Sequence, residues 1–214
     1  QGLGGLFVGF TDTSSLAIVA PVTEEASKGL FLVLLLWWRR AEVDGILDGI
    51  VYAGMVGVGF AFTENILYLA SAWNGTDGMG PGGIEAVTGT FVVRCIFSPF
   101  AHPLFTAFTG VGIGLAVSSR RPAVRWLAPI GGYLLAVLAH ATWNGSTVFG
   151  FGSFAIVYVV IMAPAFIGMI GLAWWARETE AHLLRVALGD AAQRGLRSEE
   201  HTSELQSRFG ISYA

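Results

Sequence analysis

The sequence predicts an all-α, polytopic helical membrane protein, with about five transmembrane helices in this fragment and a C-terminal amphipathic helix. The chain of 214 residues is 54% hydrophobic and only 13% charged. Apolar stretches of about 20 residues recur between short polar breaks, which is typical of membrane-spanning helices. Arginines concentrate in alternate breaks, as antiparallel spans require, so those breaks are predicted to face the cytoplasm. A net charge of −3 gives no indication of nucleic-acid binding.

The five predicted spans cover residues 16–38, 47–70, 86–117, 124–148 and 154–176. The loop at 73–83 is rich in Gly, Asn and Asp and is predicted not to form a regular helix. Pro99 and Pro103 fall inside the third span, where the loss of backbone hydrogen bonds predicts a kink or a break. Residues 177–194 combine an apolar face with charged side chains, which is typical of a helix lying on the membrane surface.

The predicted spans divide the chain into three segments. Residues 1–176 are assigned to a transmembrane domain, and 177–196 to a cytoplasmic amphipathic tail. The chain does not begin with Met, so we expect at least one upstream helix to be missing. Residues 197–214 resemble the translation of a sequencing adapter, and we expect them to be foreign to the protein.

Charged and polar side chains inside the spans are the candidate functional residues. Near the bilayer centre each charged group costs roughly 2.5–3.5 kcal/mol, so a chain that accepts such groups usually uses them. They are Glu24, Glu25 and Lys28 in the first span, Glu64 and Asn65 in the second, Arg94, His102 and Thr106 in the third, and His140 and Asn144 in the fourth.

Depth estimates predict that these residues form one site. At about 1.5 Å per helical residue, Glu25, Glu64, His102 and His140 lie ~21, ~24, ~27 and ~22 Å from the cytoplasmic ends of their helices. Four helices of alternating direction therefore place ionisable groups in one layer, in the outer half of the bilayer.

Helical spacing also predicts partners within each span. Lys28 follows Glu24 by four residues and can pair with it, whereas Glu25 points about 100° away. Arg94 is interpreted either as a rim residue that snorkels to the interface or as a group that orients a carboxylate or a substrate carbonyl.

Histidines and carboxylates at one depth suit Zn²⁺, with a neighbouring carboxylate as general base toward a water molecule. His102 shares a helix face with Thr106, and His140 shares one with Asn144. A Glu/His site that activates water without a metal stays open as an alternative.

Four motifs resemble, in order and spacing, the PrsW family of intramembrane proteases. They are Glu24-Glu-Ala-Ser-Lys28, Asp48-Gly with Gly59-Phe-Ala-Phe-Thr-Glu-Asn65, His102-Pro-Leu-Phe-Thr106, and His140-Ala-Thr-Trp-Asn144. The paired glutamates and the last motif are also similar to the wider CAAX-processing and bacteriocin-immunity membrane proteases. The resemblance covers about 20–145. It implies a multi-pass metallopeptidase of the bacterial cytoplasmic membrane in which Glu24 and Glu25 are essential.

The resemblance also implies a membrane-anchored protein substrate, of the anti-sigma-factor type, cut near the extracytoplasmic face. The predicted Zn²⁺ ligands are Glu64, His102 and His140, with Glu25 as a further candidate. Activation of water is assigned to Glu24 or Glu25, and support of a carboxylate or an oxyanion to Lys28 or Arg94. Contacts to the ligands or the substrate backbone are assigned to Asn65, Thr106 and Asn144.

Two alternatives remain at this point. The first is a proton- or ion-coupled transporter, in which the same charges line a path and the helix broken at Pro99 and Pro103 binds the cargo. The second is a non-catalytic membrane scaffold, or a haem-binding bundle that uses His102 and His140.

Overall fold

A computed structural model of the chain describes residues 15–39, 42–76 and 80–193. Within these ranges the regular structure is helical, as predicted. The α-helices are α1 (Ala20–Arg39), α2 (Ile46–Asn74), α3 (Ile84–Phe91), α4 (Ala101–Ser118), α5 (Pro122–Val148), α6 (Phe151–Val157) and α7 (Ala163–Gln193). Short π-helical stretches precede α1 (Ser15–Val19), extend α3 (Val92–Phe97) and join α6 to α7 (Tyr158–Met162). The predictions for residues 1–14 and 197–214 lie outside the described residues.

Four helical segments of the described chain are long and apolar enough to cross a membrane: Ile46–Asn74, Ile84–Ser118, Pro122–Val148 and Phe151–Gln193. The prediction of an all-α, multi-pass membrane protein is therefore confirmed. The remaining predicted span is α1, whose 20 residues would extend about 30 Å. Its first half carries Glu24, Glu25 and Lys28, and a fifth crossing by α1 stays a prediction.

The third predicted span is broken where the prolines are. The π-helical stretch ends at Phe97, Pro99 lies in a turn, and α4 begins at Ala101. Pro103 is tolerated because it lies in the first turn of α4, where its missing N–H would have no intrahelical partner. As a result Arg94 and His102, although close in sequence, belong to different helical segments.

The predicted loop at 73–83 begins later than expected, because α2 continues to Asn74. Gly75 then ends the helix with φ 68°, and its N–H binds the carbonyl of Ser71. This left-handed conformation favours glycine, which explains why the helix stops there.

Close packing of α4 between α2 and α5 sets the position of the site. A Cβ added to Gly57 of α2 would lie 2.7 Å from the carbonyl oxygen of His102. A Cβ on Gly132 of α5 would collide with the carbonyl oxygen of Phe108. Small residues at these crossings let the backbones approach, as is common between membrane helices. The helix α1 packs against the same three helices, so its polar residues face the start of α4.

The chain divides into two compact units, with the boundary between Ile170 and Gly171. The first unit contains every predicted site residue. The described part of the second unit is helical as far as Gln193. The segment predicted to be amphipathic is thus helical, and its position on the membrane surface stays a prediction.

Candidate active site

Glu25 is the most enclosed of the charged residues and is fully buried. Its Oε1 lies 2.7 Å from Lys28 Nζ and 2.9 Å from His140 Nδ1. Its Oε2 lies 3.4 Å from the hydroxyl of Thr106, which also lies 2.9 Å from the carbonyl oxygen of His102. Partners from α1, α4 and α5 therefore satisfy this carboxylate, which keeps a buried charge from being unpaired.

Lys28 lies at the centre of the cluster, with a side chain only 1% exposed. Besides Glu25, its Nζ approaches His102 Nδ1 at 3.0 Å and Glu24 Oε2 at 3.7 Å. It also lies 3.9 Å from the centroid of the Phe60 ring, a favourable position for a cation. The predicted pairing of Lys28 with Glu24 is thus the longer of its two ion pairs. Glu25 is closer because it shares the buried face of α1 with Lys28.

Glu64 and Arg94 form a second cluster on the other side of His102. Glu64 Oε2 lies 2.8 Å from His102 Nε2 and also accepts a hydrogen bond from Arg94. Arg94 Nε donates to Asn65 Oδ1 at 2.8 Å, and its guanidinium lies 3.7 Å from the centroid of the Tyr68 ring. Arg94 thus contacts a carboxylate, as one of its two interpretations requires, and its role stays a prediction.

The neighbours of the two histidines determine which ring nitrogen has a lone pair. A carboxylate only accepts hydrogen bonds, so the nitrogen facing it carries the proton. For neutral rings, His102 donates from Nε2 to Glu64 and exposes its Nδ1 lone pair toward Lys28. His140 donates from Nδ1 to Glu25 and directs its Nε2 lone pair toward Glu24. A carboxylate behind a histidine in this way fixes the ring and makes its other nitrogen a better ligand.

Glu24 differs from Glu25 in having an unsatisfied oxygen. Among the described residues, Glu24 Oε2 is buried and has no hydrogen-bond partner. It lies 3.8 Å from His140 Nε2, so two lone pairs face each other. This arrangement needs a proton, a cation or a water molecule between them to be favourable.

The group of side chains able to hold a metal ion is Glu24, His102 and His140, whose ligand atoms all lie within 4.8 Å of one another. The sequence prediction assigned the carboxylate ligand to Glu64. In the structure Glu64 is bound by Arg94 and by His102 Nε2, and Glu24 takes the position beside the two histidines. The predicted depth along the helices could not distinguish Glu24 from Glu64, because both carboxylates are expected in the same layer of the bilayer.

Two predicted site residues, Asn65 and Asn144, remain to be placed. Asn65 connects Arg94 to Cys95, with its Nδ2 3.5 Å from the Cys95 sulfur. Asn144 is half-buried one turn beyond His140 on α5, and its role toward a substrate stays a prediction.

Two aromatic residues were missed by the sequence reasoning. Phe105 is fully buried and stacks on His140, with ring centroids 4.8 Å apart. Phe60 contacts both Lys28 and His102. Both lie within the quoted motifs, but in so apolar a chain a phenylalanine gives no signal of its own.

Comparisons with known proteins agree with the motifs. The family described as PrsW family intramembrane metalloprotease matches residues 6–169. Protease PrsW of Oceanobacillus iheyensis is 30% identical over 132 residues, covering 62% of this chain and 54% of that protein. Protease PrsW of Bacillus subtilis is 32% identical over 127 residues, covering 59% and 48%. Protease PrsW of Geobacillus kaustophilus is 34% identical over 117 residues, covering 53% and 44%.

The chain spans about half the length of the curated relatives it matches. No solved structure matches it. The family match covers more than half of the chain and includes all of the polar residues described above. The chain therefore belongs to the PrsW family of intramembrane metalloproteases.

Proposed function

We propose that this chain is the catalytic part of an intramembrane endopeptidase, which hydrolyses a peptide bond of a membrane-anchored protein. One observation carries the proposal: four helices bring three carboxylates, two histidines and a lysine into one connected network, at the edge of which Glu24 keeps an unsatisfied oxygen. A chain that only packed its helices would gain nothing from such a costly cluster.

The two neighbouring glutamates have different roles in this proposal. Glu25 positions Lys28 and His140 and is fully buried, so it is less accessible to a substrate or a water molecule than Glu24 is. Glu24 is 21% exposed at its side chain, and its Oε2 accepts no hydrogen bond, with Lys28 Nζ at 3.7 Å. Glu24 is therefore the carboxylate that accepts a proton from the attacking water, and it returns that proton to the amine that leaves when the peptide bond breaks.

The residues present fit a zinc ion. Two atoms that bind one zinc at about 2.0–2.2 Å are separated by no more than about 4.3 Å. Glu24 Oε2 and His140 Nε2 are 3.8 Å apart, and the full set, whose ligand atoms lie within 4.8 Å of one another, would close by about 0.5 Å around the ion. Glu24, His102 and His140 would hold the ion. When bound, zinc would polarise the scissile carbonyl and acidify water. Of the two Glu24 oxygens, Oε2, beside His140, would face the ion, and Oε1 would face the water and accept its proton.

His102 is held for this role by Glu64, which Arg94 supports in turn. Arg94 thus acts on His102 through Glu64. Asn144 follows His140 by one helical turn on α5 and is a suitable donor for a substrate carbonyl or its oxyanion. The hydrogen bonds that fix each imidazole keep the lone pairs directed toward the reacting groups, which is the main requirement for catalysis by positioned side chains.

The proposed substrate is a membrane-anchored protein of the anti-sigma-factor type, cut near the extracytoplasmic face of the bacterial inner membrane. The site lies in the outer half of the bilayer by the depth estimates, and the basic breaks at the other ends of the helices favour a cytoplasmic location for those ends.

The test is cleavage of a single-span reporter protein by the purified chain in liposomes, followed by mass spectrometry of the products. Glu24→Gln keeps the size of the side chain and removes its basicity, so we expect it to lower the cleavage rate by about 10²–10⁴-fold.

The matched control is Glu85→Gln. Glu85 is an exposed glutamate in the first turn of α3, outside the network, and we expect its variant to cleave at the wild-type rate. Full-rate cleavage by Glu24→Gln would rule out the proposed role of this residue.

A further inference from the structure

The Lys28 ammonium lies beside two of the three candidate metal ligands. Its Nζ lies within 3.7 Å of one candidate metal ligand, Glu24, and within 3.0 Å of another, His102. With Glu25 at 2.7 Å and the Phe60 ring at 3.9 Å, this ammonium is surrounded by anions, a lone pair and an aromatic face. These are the surroundings that a site built for a cation provides.

His102 cannot serve both cations at once. Its Nε2 lies 2.8 Å from the Glu64 carboxylate and carries the proton, so its one lone pair is on Nδ1. That lone pair accepts from Lys28 Nζ at 3.0 Å. A metal ion bound to the same nitrogen must displace the ammonium.

The charge balance leads to the same result. The cluster contains three carboxylates (Glu24, Glu25 and Glu64) and two cations (Lys28 and Arg94), which leaves −1 with neutral histidines. A divalent ion would bring the sum to +1 in a buried site. Without Lys28, the same ion would bring the net charge of the cluster to zero. The Lys28 ammonium and a divalent ion are both positive, and two such charges a few ångströms apart repel strongly where water is excluded.

We propose that Lys28 is a built-in cation that competes with zinc for this site, so that the lysine side chain controls metal occupancy. This inference rests on the proposed function, because it takes Glu24, His102 and His140 as the metal ligands. In the arrangement described here the ammonium is the cation of the site, and zinc binds with the lysine side chain moved away from His102.

Zinc affinity of the purified full chain in detergent tests the proposal, measured by competition with a chelating dye. Lys28→Met keeps the length of the side chain and removes its charge, and we expect it to bind zinc at least about 10-fold more tightly than wild type. Arg39→Met is the matched control, since it removes an exposed cation from the end of the same helix, and it should leave the affinity unchanged.

Two further variants keep the test decisive. Lys28→Met leaves the Glu25 charge buried, so the double variant Glu25→Gln/Lys28→Met provides a form with the wild-type net charge that is less prone to unfold. It too should bind zinc more tightly than wild type, because no ammonium occupies the His102 lone pair, but by less than Lys28→Met, since its net charge with the ion bound is again +1. Adding His102→Gln to Lys28→Met should abolish the gain. The absorption spectrum of bound Co²⁺ gives an independent view of the ligands and should appear at lower metal concentration in Lys28→Met.

Equal zinc affinity in wild type and in both Lys28 variants would overturn the competition. Failure of every variant to bind zinc would overturn it as well. Neither result bears on cleavage by Glu24, because the reporter assay with Glu24→Gln tests the peptidase separately.

Discussion

The polar network has two arms that meet at His102, and they differ in how completely they are buried. The inner arm, consisting of Glu25, Lys28 and His140, has side chains that are only 0–2% exposed. The outer arm, consisting of Glu64, Arg94 and Asn65, includes side chains that are 17% exposed at Glu64 and 23% exposed at Arg94. The inner arm reaches His102 through Nδ1 and the outer arm through Nε2.

Because of this difference in burial, a charge that loses its partner should have different consequences in the two arms. In the inner arm no solvent can replace a lost partner, so each charge depends on the others for its stability. In the outer arm, water or lipid headgroups can partly solvate a charge whose partner is removed. The inner arm should therefore control both folding and chemistry, whereas the outer arm should mainly adjust the orientation of His102.

The largest effect is expected from breaking the inner arm at its centre. Glu25→Ala leaves the Lys28 ammonium buried without its nearest carboxylate, so we expect the free energy of unfolding to fall by about 3–5 kcal/mol. Cleavage of the reporter should be lost at the same time. Unfolding followed by tryptophan fluorescence during denaturant titration in micelles measures the change.

The double variant Glu25→Gln/Lys28→Met is the control for this prediction, because it removes both charges together. It should recover at least half of the stability lost in Glu25→Ala, although not the activity. If the single and double variants are equally unstable, the loss comes from packing and the burial argument for the inner arm is wrong.

A smaller effect is expected from the outer arm. Arg94→Met removes the cation that supports Glu64, so His102 is held less firmly, and we expect about a 10-fold decrease in kcat with little change in KM. The free energy of unfolding should decrease by no more than about 1 kcal/mol, because both side chains are partly exposed. Steady-state cleavage of the reporter at several substrate concentrations separates kcat from KM.

Arg120→Met provides the comparison, since Arg120 is an exposed arginine between α4 and α5, away from both arms. It should cleave like wild type. Arg94→Lys keeps the charge but not the two-pronged contact with Glu64 and Asn65, and it should recover only part of the rate. An Arg94→Met variant as unstable as Glu25→Ala would show that the two arms do not differ in the way their burial suggests.

The sequence was sufficient to predict the helices and the grouping of the polar residues. Apolar length gave the spans, and the rise per residue placed Glu25, Glu64, His102 and His140 at similar heights. The structure brings these four residues into one network. The prolines also indicated the break before α4 correctly, because their effect on the backbone is local.

Rotation of each helix about its own axis could not be predicted in the same way. Which nitrogen of His140 each of Glu24 and Glu25 meets depends on how α1 packs against α4 and α5. The helix face from which the Arg94 side chain projects was harder still to predict, because Arg94 lies in the π-helical stretch Val92–Phe97. An extra residue in a turn changes the phase of the helix, so 100° spacing no longer gives the face. Because the rotations of α1 and α2 could not be predicted from spacing alone, the sequence prediction named Glu64 where the structure has Glu24 beside the two histidines.

The smallest effect is expected at the far end of the outer arm. Cys95 accepts a 3.5 Å hydrogen bond from Asn65, which is a weak contact to sulfur. Cys95→Ser keeps an acceptor of similar size, so cleavage should stay within about twofold of wild type and stability within about 0.5 kcal/mol. Asn65→Leu is the contrast, because it also removes the acceptor for Arg94 and should reduce kcat more than Cys95→Ser does. A loss of tenfold or more in Cys95→Ser would mean that the outer arm extends beyond Asn65, and that orientation of His102 depends on the π-helical stretch that carries both Arg94 and Cys95.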